Sequence, residues 1–249
     1  MSAYEALAAS YDALTYDIPY EKILQFWETL LKRYRLRPET VLDLACGTGS
    51  LSVLLAEHGY RVIGVDLSEE MLAVADEKCS HLAENRPFFA CQPMQRLRLP
   101  EQVDSVICAL DSLNYVTRPA DVQKTFRRVH DALTPGGLFL FDINTPYKLE
   151  GLAGQTFLDE TEDTYCVWRT EFDPKKRLCY YGMDLFQRDG EVWERSFEEH
   201  IEYAYTAEEL TGWLREAGFT KIDVFGDQKC RAPKEDELRV YLAARKETT

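Results

Sequence analysis

The chain has 249 residues, of which 45% are hydrophobic, and this size fits one large α/β domain with a proper core. Its formal net charge of −14 argues against a nucleic-acid partner, and no apolar run approaches the ~18 residues of a membrane-spanning helix. Seven scattered cysteines without a Cys-x-x-Cys pair predict no disulfide framework and no metal site, which fits a reducing, cytoplasmic location.

Residues 1–37 form a leading segment that we predict to be a helical cover on the main domain. Five large apolar residues recur on one face of a helix: Ile23, Phe26, Trp27, Leu30 and Leu31. This spacing predicts a helix that packs against a sheet.

The stretch from Val41 to Asp66 has the pattern of a βαβ unit. An apolar run, Val41–Ala45, is short enough to be a buried parallel strand, and it passes into the sequence Cys-Gly-Thr-Gly at 46–49. Leucines at helical spacing follow, so the glycine turn opens a helix whose free N–H groups point at a ligand. A second strand, Arg61 to Val65, ends in Asp66, where a carboxylate can accept hydrogen bonds from both hydroxyls of a ribose.

Two cofactors compete for this geometry. A dinucleotide site has Gly or Ala at its third fingerprint position, but Ser52 stands there, and Asp43 inside the first strand would repel a pyrophosphate. S-adenosylmethionine has no phosphate and carries an ammonium and a sulfonium. The pattern therefore favours a cation-bearing nucleoside over NAD, and a vestigial site in the same kind of sheet is the alternative.

These motifs resemble those of the class I S-adenosylmethionine-dependent methyltransferases, with the glycine motif at residues 43–49 and the ribose acid at Asp66. The tyrosine-rich leader and a later β insertion are similar to bacterial glycine, sarcosine and aminosugar N-methyltransferases. The resemblance implies an α/β fold with a Rossmann-like, doubly wound seven-stranded sheet, its last strand antiparallel, and an inserted antiparallel β meander. It also implies S-adenosyl-L-methionine as the cofactor.

The resemblance further implies a set of cofactor-binding residues. They are Tyr11, Asp43, Gly47, Gly49, Asp66, Leu67, Met71, Gln92, Pro93, Met94, Leu110 and Asp111. Tyr11 belongs to a leader that folds over the cofactor in this family, where a ring can face the sulfonium, although surface packing fits Tyr11 equally well. At the exit of the third strand, Phe88–Cys91, Pro93 replaces the acid that usually binds adenine. We therefore expect Gln92 or backbone groups to bind adenine instead.

Further strands are predicted at Val103–Leu110 and Leu138–Phe141, with a helix between them that ends before Pro135-Gly136-Gly137. Ligands of open α/β sheets lie beyond the carboxyl ends of the strands, where the strand order reverses, which we predict between the first and fourth strands. The candidate catalytic residues at these ends are Asp111, Asn114 and Tyr115, and Asp142 and Asn144 are considered for the same role. A base is needed only to take the acceptor's proton, and the sequence does not assign it.

From residue 155 to 205 the hydrophobic period changes to two, which predicts an inserted antiparallel meander. We predict three strands, Thr164–Phe172, Leu178–Gln187 and Val192–Tyr205, with a hairpin turn at Asp189-Gly190. The insertion is either a lid over the acceptor, a dimer interface or a sheet that covers the core. After it, a capping box predicts a helix from Thr206, and strands at Lys221–Phe225 and Arg239–Ala244 close the main sheet.

We therefore predict that residues 1–249 form a single methyltransferase domain that transfers a methyl group to N or O of a small polar acceptor. The predicted partner is this small molecule, without nucleic acid or membrane, and a homodimer is one option. The alternatives are an RNA or protein methyltransferase, which the acidic composition disfavours, and a non-catalytic S-adenosylmethionine-binding module. Surface or capping roles are predicted for the four histidines, His58, His81, His130 and His200.

Overall fold

The computed structural model describes residues 11–15, 17–82 and 85–248. The helices are α1 (Tyr11–Leu14), α2 (Tyr20–Tyr34), α3 (Ser50–Glu57), α4 (Glu69–Lys78), α5 (Pro119–Ala132), α6 (Pro146–Gly151) and α7 (Ala207–Glu216), with one 3₁₀ turn at Met94–Arg96. The strands are β1 (Thr40–Leu44), β2 (Arg61–Asp66), β3 (Phe88–Cys91), β4 (Val103–Cys108), β5 (Leu133–Asn144), β6 (Thr156–Glu160), β7 (Thr164–Asp173), β8 (Leu178–Asp189), β9 (Val192–Tyr203), β10 (Phe219–Gly226) and β11 (Arg239–Lys246). No helix in these described ranges is long and apolar enough to cross a membrane.

Seven strands form the main sheet in the order β10-β11-β5-β4-β1-β2-β3. Strand β1 is parallel to both of its neighbours, β2 and β4, so the strand order reverses between β1 and β4 as predicted. Strand β11, the last in the chain, is antiparallel to both β5 and β10. The predicted Rossmann-like, seven-stranded sheet with its last strand antiparallel is therefore confirmed.

Apolar side chains of helices cover both faces of this sheet. On one face, α5 and α7 contribute Phe126 and Leu214 to a buried cluster. On the other, α2 packs the face predicted from the sequence, with Trp27 at its centre. The Trp27 indole Nε1 donates a hydrogen bond to Ser105 Oγ of β4 at 3.1 Å, so the buried ring also finds a polar partner. Residues 1–10 of the predicted cover lie outside the described residues.

The insertion forms a separate four-stranded antiparallel sheet in the order β6-β7-β8-β9, and we call it the meander. The hydrophobic pattern predicted three of these strands but not β6. Its five residues, Thr-Phe-Leu-Asp-Glu, place two apolar residues together and then two acids, so they show no alternation, and all five are exposed. The hairpin between β8 and β9 turns at Gly190, whose φ of 62° is positive, as the Asp189-Gly190 signal predicted.

The two central strand boundaries also differ from their predictions. Strand β5 begins at Leu133, directly after α5, and runs to Asn144, because its extra residues pair with β4 at one end and with β11 at the other. Strand β4 ends at Cys108 and not at Leu110. Leu110 and Asp111 have φ values of 59° and 51°, which a strand does not accommodate.

Candidate active site

A cavity of about 290 Å³ lies where the first four strands of the main sheet end. Its walls are the segments that follow these strands, at residues 44–48, 65–68, 92–95 and 109–110. Tyr11 and Tyr20, from the helical leader, also line it. The cavity thus occupies the position beside the β1–β4 reversal where open α/β sheets bind ligands.

The glycine loop between β1 and α3 forms the floor of this cavity. Gly47 and Gly49 have φ values of 53° and 73°, which glycine adopts without steric cost. A Cβ atom on Gly49 would lie 2.8 Å from the Cβ of Ala75 in α4, so this glycine serves the packing of the loop against α4. Gly47 contributes its main-chain N–H, which bonds to the strand-end acid Asp66.

Asp66 holds the segments on either side of the cavity floor together. Its Oδ2 accepts a hydrogen bond from Gly47 N at 2.8 Å, and its Oδ1 accepts one from Ser68 N at 2.9 Å. Ser68 in turn caps α4, because its Oγ accepts a hydrogen bond from Met71 N. A carboxylate oxygen has a second lone pair, so both oxygens can still accept hydrogen bonds from a ligand.

Asp43 lies buried beneath the loop, with 2% of its surface exposed. Ser52 Oγ donates a hydrogen bond to Asp43 Oδ2 at 2.6 Å, which gives a specific role to the serine that departs from the dinucleotide fingerprint. Burial raises the pKa of the Asp43 carboxyl to about 7, although the Ser52 hydrogen bond opposes the rise. At neutral pH the carboxyl is therefore only partly ionised, and a cation in the cavity would favour its charged form.

The segment after β3 closes the cavity on the side of the sheet edge. The Gln92 side chain bonds to the backbone of Arg98 at both ends of its amide, through Nε2 to Arg98 O at 3.2 Å and from Arg98 N to Oε1 at 2.9 Å. Gln92 therefore shapes the loop that carries Pro93 and Met94. Gln95 of the same loop also lines the cavity. Nothing in the sequence pattern distinguished Gln95 from its neighbours.

The ends of β4 and β5 meet in a network of charged side chains. The main-chain N–H groups of Leu110 and Asp111 donate to the carboxylate of Asp142 at 2.8 and 3.0 Å. Arg239, the first residue of β11, forms ion pairs with both Asp111 and Asp142. Asp142 is completely buried. The two acids predicted at this edge are thus bound to Arg239, which no sequence motif indicated as a site residue.

Asn114 is a buried link between the main sheet and the meander. Its Nδ2 donates to Asn144 O and Tyr203 O at 3.1 and 3.0 Å, and its Oδ1 accepts from Asn144 N at 3.1 Å. Both sides of the amide are therefore bound to main-chain groups. This arrangement favours a structural role over the predicted catalytic one.

Comparisons with known proteins agree with this geometry. Residues 41–137 match a family model described as a methyltransferase domain. Over 246 residues the chain is 35% identical to a protein of Geobacillus sp. (strain WCH70) that is named as a methyltransferase, with 98% of this chain and 99% of that one covered. The chain is a class I S-adenosylmethionine-dependent methyltransferase. Its cofactor is S-adenosylmethionine, as the residues of the first βαβ unit predicted.

Solved structures share the methyltransferase's fold over nearly its full length. An S-adenosylmethionine-dependent methyltransferase from Clostridium acetobutylicum ATCC 824 is 31% identical, with a TM-score of 0.87 and coverage of 98% of this chain and 99% of that chain. CalS10, an amino pentose methyltransferase from Micromonospora echinaspora solved with S-adenosylmethionine bound, is 18% identical. Its TM-score is 0.75, with 98% of each chain covered, and at this identity the likeness shows the fold alone.

The contribution of β9 to the inner face of the methyltransferase's meander is polar. Glu198, His200 and Glu202 alternate along β9 and so point to the same face. His200 is buried and packs edge-on against Tyr115, with ring centroids 6.0 Å apart, while its Nε2 lies 3.2 Å from Glu198 Oε2. The predicted surface or capping role is therefore wrong for His200. This face of the strand is turned to the protein interior, and the alternation of a strand does not by itself say which face is buried.

Glu202 connects the same face to the end of β5. Its Oε2 accepts a hydrogen bond from Asn144 Nδ2 at 2.8 Å, and Lys148 Nζ donates to Asn144 Oδ1 at 2.8 Å. Burial raises the pKa of Glu202 well above the usual range, and the nearby charge of Asp111 acts in the same direction. Asn144 thus joins a buried acid of the meander to a lysine of α6.

Charged and polar side chains attach the helical leader to the glycine loop. Asp12 of α1 accepts a hydrogen bond from Thr48 Oγ1 at 2.7 Å and forms an ion pair with Lys78 Nζ at 2.6 Å. Lys78 also donates to Thr48 Oγ1 and to Ser50 Oγ. Tyr11, the neighbour of Asp12, packs against an apolar cluster of the meander. Tyr11, which lines the cavity, therefore connects the leader to the meander.

The structure brings most of the predicted site residues to this cavity. From the predicted cofactor set, Tyr11, Asp43, Gly47, Asp66, Leu67, Met71, Gln92, Pro93, Met94 and Leu110 line it, and so does Tyr115 from the catalytic set. Gly49, Asp111 and Asn114 are not among the described lining residues. Polar lining residues outside the predicted site include Tyr20, Thr48, Ser68, Gln95 and Ser112. The tyrosine-rich leader was a signal for Tyr20, whose pKa burial raises to about 12, so it remains a neutral phenol.

Replacing Asp43 by asparagine is expected to flatten the pH dependence of the methyltransferase's stability. An acid whose pKa is 3.8 when unfolded and about 7 when folded stabilises the fold less as pH rises between these values, by up to about 1.4 kcal/mol per pH unit. Asparagine keeps an acceptor for Ser52 but does not titrate. Between pH 5 and pH 8, the free energy of unfolding of Asp43→Asn should therefore rise by about 2–3 kcal/mol relative to wild type, measured by urea unfolding.

The matched control is Glu69→Gln, at an exposed acid of α4, which should change this difference by less than about 0.5 kcal/mol. Parallel pH profiles for wild type and Asp43→Asn would contradict a raised pKa at Asp43.

Proposed function

We propose that the cavity binds S-adenosylmethionine and that a small polar acceptor binds beside it, between the end of the main sheet and the inner face of the meander. The observation that carries this proposal is the buried polar face of β9. A sheet that only covered a core would turn apolar residues inward, but β9 turns Glu198, His200 and Glu202 inward. His200 also contacts Tyr115, which lines the cavity.

The cavity residues match the parts of the cofactor by their chemistry. Asp66 accepts hydrogen bonds from the ribose hydroxyls, which its two oxygens can do while they hold Gly47 and Ser68. The loop of Gln92 to Gln95 contacts the adenine. Tyr11 and Tyr20 line the cavity, and their rings would attract the positive sulfonium and ammonium groups.

Catalysis in this arrangement depends on placement of the two substrates. The acceptor's nitrogen or oxygen attacks the methyl carbon, the bond from that carbon to sulfur breaks, and S-adenosylhomocysteine is the leaving group. Because the sulfonium is already activated, alignment and exclusion of water supply most of the rate increase. The leader and the meander exclude water, which is the lid role. An imidazole can take the acceptor's proton, and we propose His200, which lies next to Glu198, for this role.

The size and kind of acceptor are supported by two further findings. CalS10, which shares this fold, is named as an amino pentose methyltransferase, so the same combination of sheet and meander serves a small polar acceptor there. The net charge of −14 disfavours RNA as the acceptor.

The outer face of the meander exposes Leu158, Trp193 and Phe197, so the homodimer stays a prediction for this face.

The proposal is tested first by calorimetry and then by methyl transfer. S-adenosylhomocysteine should bind at least ten times more tightly than NAD, a difference of about 1.4 kcal/mol, and equal affinities would contradict the cofactor site. With labelled S-adenosylmethionine and a cell extract, label should enter the small-molecule fraction. Label in RNA or protein would overturn the acceptor class. His200→Gln should slow this transfer without weakening S-adenosylhomocysteine binding, and His58→Gln, at an exposed histidine, is the control.

A further inference from the structure

Two neighbouring residues at the wall of the cavity have an unfavourable backbone conformation. Leu110 and Asp111 both lie in the left-handed region, with φ of 59° and 51°. Residues other than glycine adopt this region rarely, and two in succession persist only where the surroundings hold them. We call residues 110–111 the left-handed turn.

The carboxylate of Asp142 holds this turn through two hydrogen bonds. Its two carboxylate oxygens accept one hydrogen bond each from the main-chain N–H groups of Leu110 and Asp111. These two N–H groups converge on one carboxylate while both residues are left-handed. An anion at this place thus stabilises a conformation that the chain would otherwise leave.

Arg239 holds the anion in place. It donates hydrogen bonds to Asp142 Oδ2 and, from Nη2, to Asp111 Oδ1 at 2.5 Å, so it links both Asp142 and the second residue of the turn to β11. Burial raises the pKa of Asp142, and the Arg239 charge opposes this rise. Without the arginine, Asp142 would be a buried acid without a cation, and its protonated form is a poorer acceptor for the two N–H groups.

The left-handed turn fixes one part of the cavity wall. Leu110 lines the cavity, as does Ser112, whose Oγ donates to Ala109 O at 2.8 Å across the turn. Neither Asp142 nor Arg239 is among the described lining residues. We infer that Asp142 and Arg239 are positioning residues, which shape the cofactor site by holding Leu110 and Asp111 in the left-handed conformation. This inference rests on the proposed cofactor site, but it does not depend on the acceptor.

A double-mutant cycle with glycine tests the inference. Arg239→Gln should weaken S-adenosylhomocysteine binding at least tenfold by calorimetry. In a Leu110→Gly background the same substitution should weaken S-adenosylhomocysteine binding less than threefold, because glycine adopts positive φ without help. Both proteins compared in this background lack the Leu110 side chain, so the effect of its loss on affinity cancels. An equal loss of affinity in both backgrounds, or no loss in either, would overturn the inference.

Controls separate positioning from simple loss of stability. Arg231→Gln breaks another arginine–carboxylate pair, with Glu237 at 2.8 Å near the start of β11, and should leave affinity unchanged. If Arg239→Gln does not fold, the same cycle is run with Arg239→Lys, which keeps a charge but cannot bond to both acids with one planar group. Failure of the wild type to bind S-adenosylhomocysteine would instead contradict the proposed cofactor site.

Discussion

An Asp66→Ala variant is expected to bind S-adenosylhomocysteine at least a hundredfold more weakly than the wild type, a loss of about 2.7 kcal/mol or more. In the proposed site the carboxylate accepts two hydrogen bonds from the ribose, and a hydrogen bond to a charged group contributes about 1.5–3 kcal/mol. The same side chain holds Gly47 and Ser68, so its loss also loosens the loop and the start of α4. Calorimetry at a temperature where both proteins are folded measures the effect.

Asp66→Asn provides an intermediate case, because it keeps one carbonyl oxygen as an acceptor and removes the charge. Its affinity should lie between those of Asp66→Ala and the wild type. Glu69→Ala, at an exposed acid three residues further along the chain, should bind like the wild type. A variant that unfolds, by circular dichroism, while the folded fraction binds normally would show that Asp66 is only a structural residue.

An Asn114→Ala variant is expected to lose about 3–5 kcal/mol of unfolding free energy. The substitution removes three hydrogen bonds, two of them buried and one partly buried, and leaves the N–H of Asn144 and the carbonyls of Asn144 and Tyr203 without this partner. For a chain of this size each kcal/mol lowers Tm by roughly 2–4 °C, so a fall of about 10 °C is expected. Thermal unfolding followed by circular dichroism measures it.

The control is Asn85→Ala, at an exposed asparagine, which should change the free energy of unfolding by less than about 0.5 kcal/mol. Below its Tm, Asn114→Ala should still bind S-adenosylhomocysteine, because Asn114 is not among the described lining residues. Unchanged stability together with lost methyl transfer would return Asn114 to the catalytic role predicted from the sequence.

The cofactor end of the site could be predicted from the sequence because its signals are local. Strand, glycine turn, helix and strand-end acid follow one another within residues 41–66, and each has a composition that one structural role explains. Gly47 and Asp66, at the two ends of this pattern, are joined by a hydrogen bond in the structure. Residues that are close in the sequence are therefore also close in space here.

The acceptor end could not be predicted in the same way, because its contacts join distant parts of the chain. Asn114 has the residue type and the strand-end position of a catalytic group, and its contact with Tyr203, 89 residues later, favours a structural role. Asp111 likewise bonds to Arg239, 128 residues later. For His200 the alternation was recognised correctly, but period alone does not say which face of a strand is buried.

The position of β5 between β4 and β11 constrains the order in which the chain can fold. Arg239, at the start of β11, follows Asp142 of β5 by 97 residues, so one edge of β5 has no partner until the C-terminal strand has been synthesised. The meander is different, because β6, β7, β8 and β9 pair only in sequence order and need no strand outside residues 156–203. During translation the inserted sheet can therefore complete its pairing first, while the apolar β5 waits with an open edge, the kind of surface on which nascent chains aggregate.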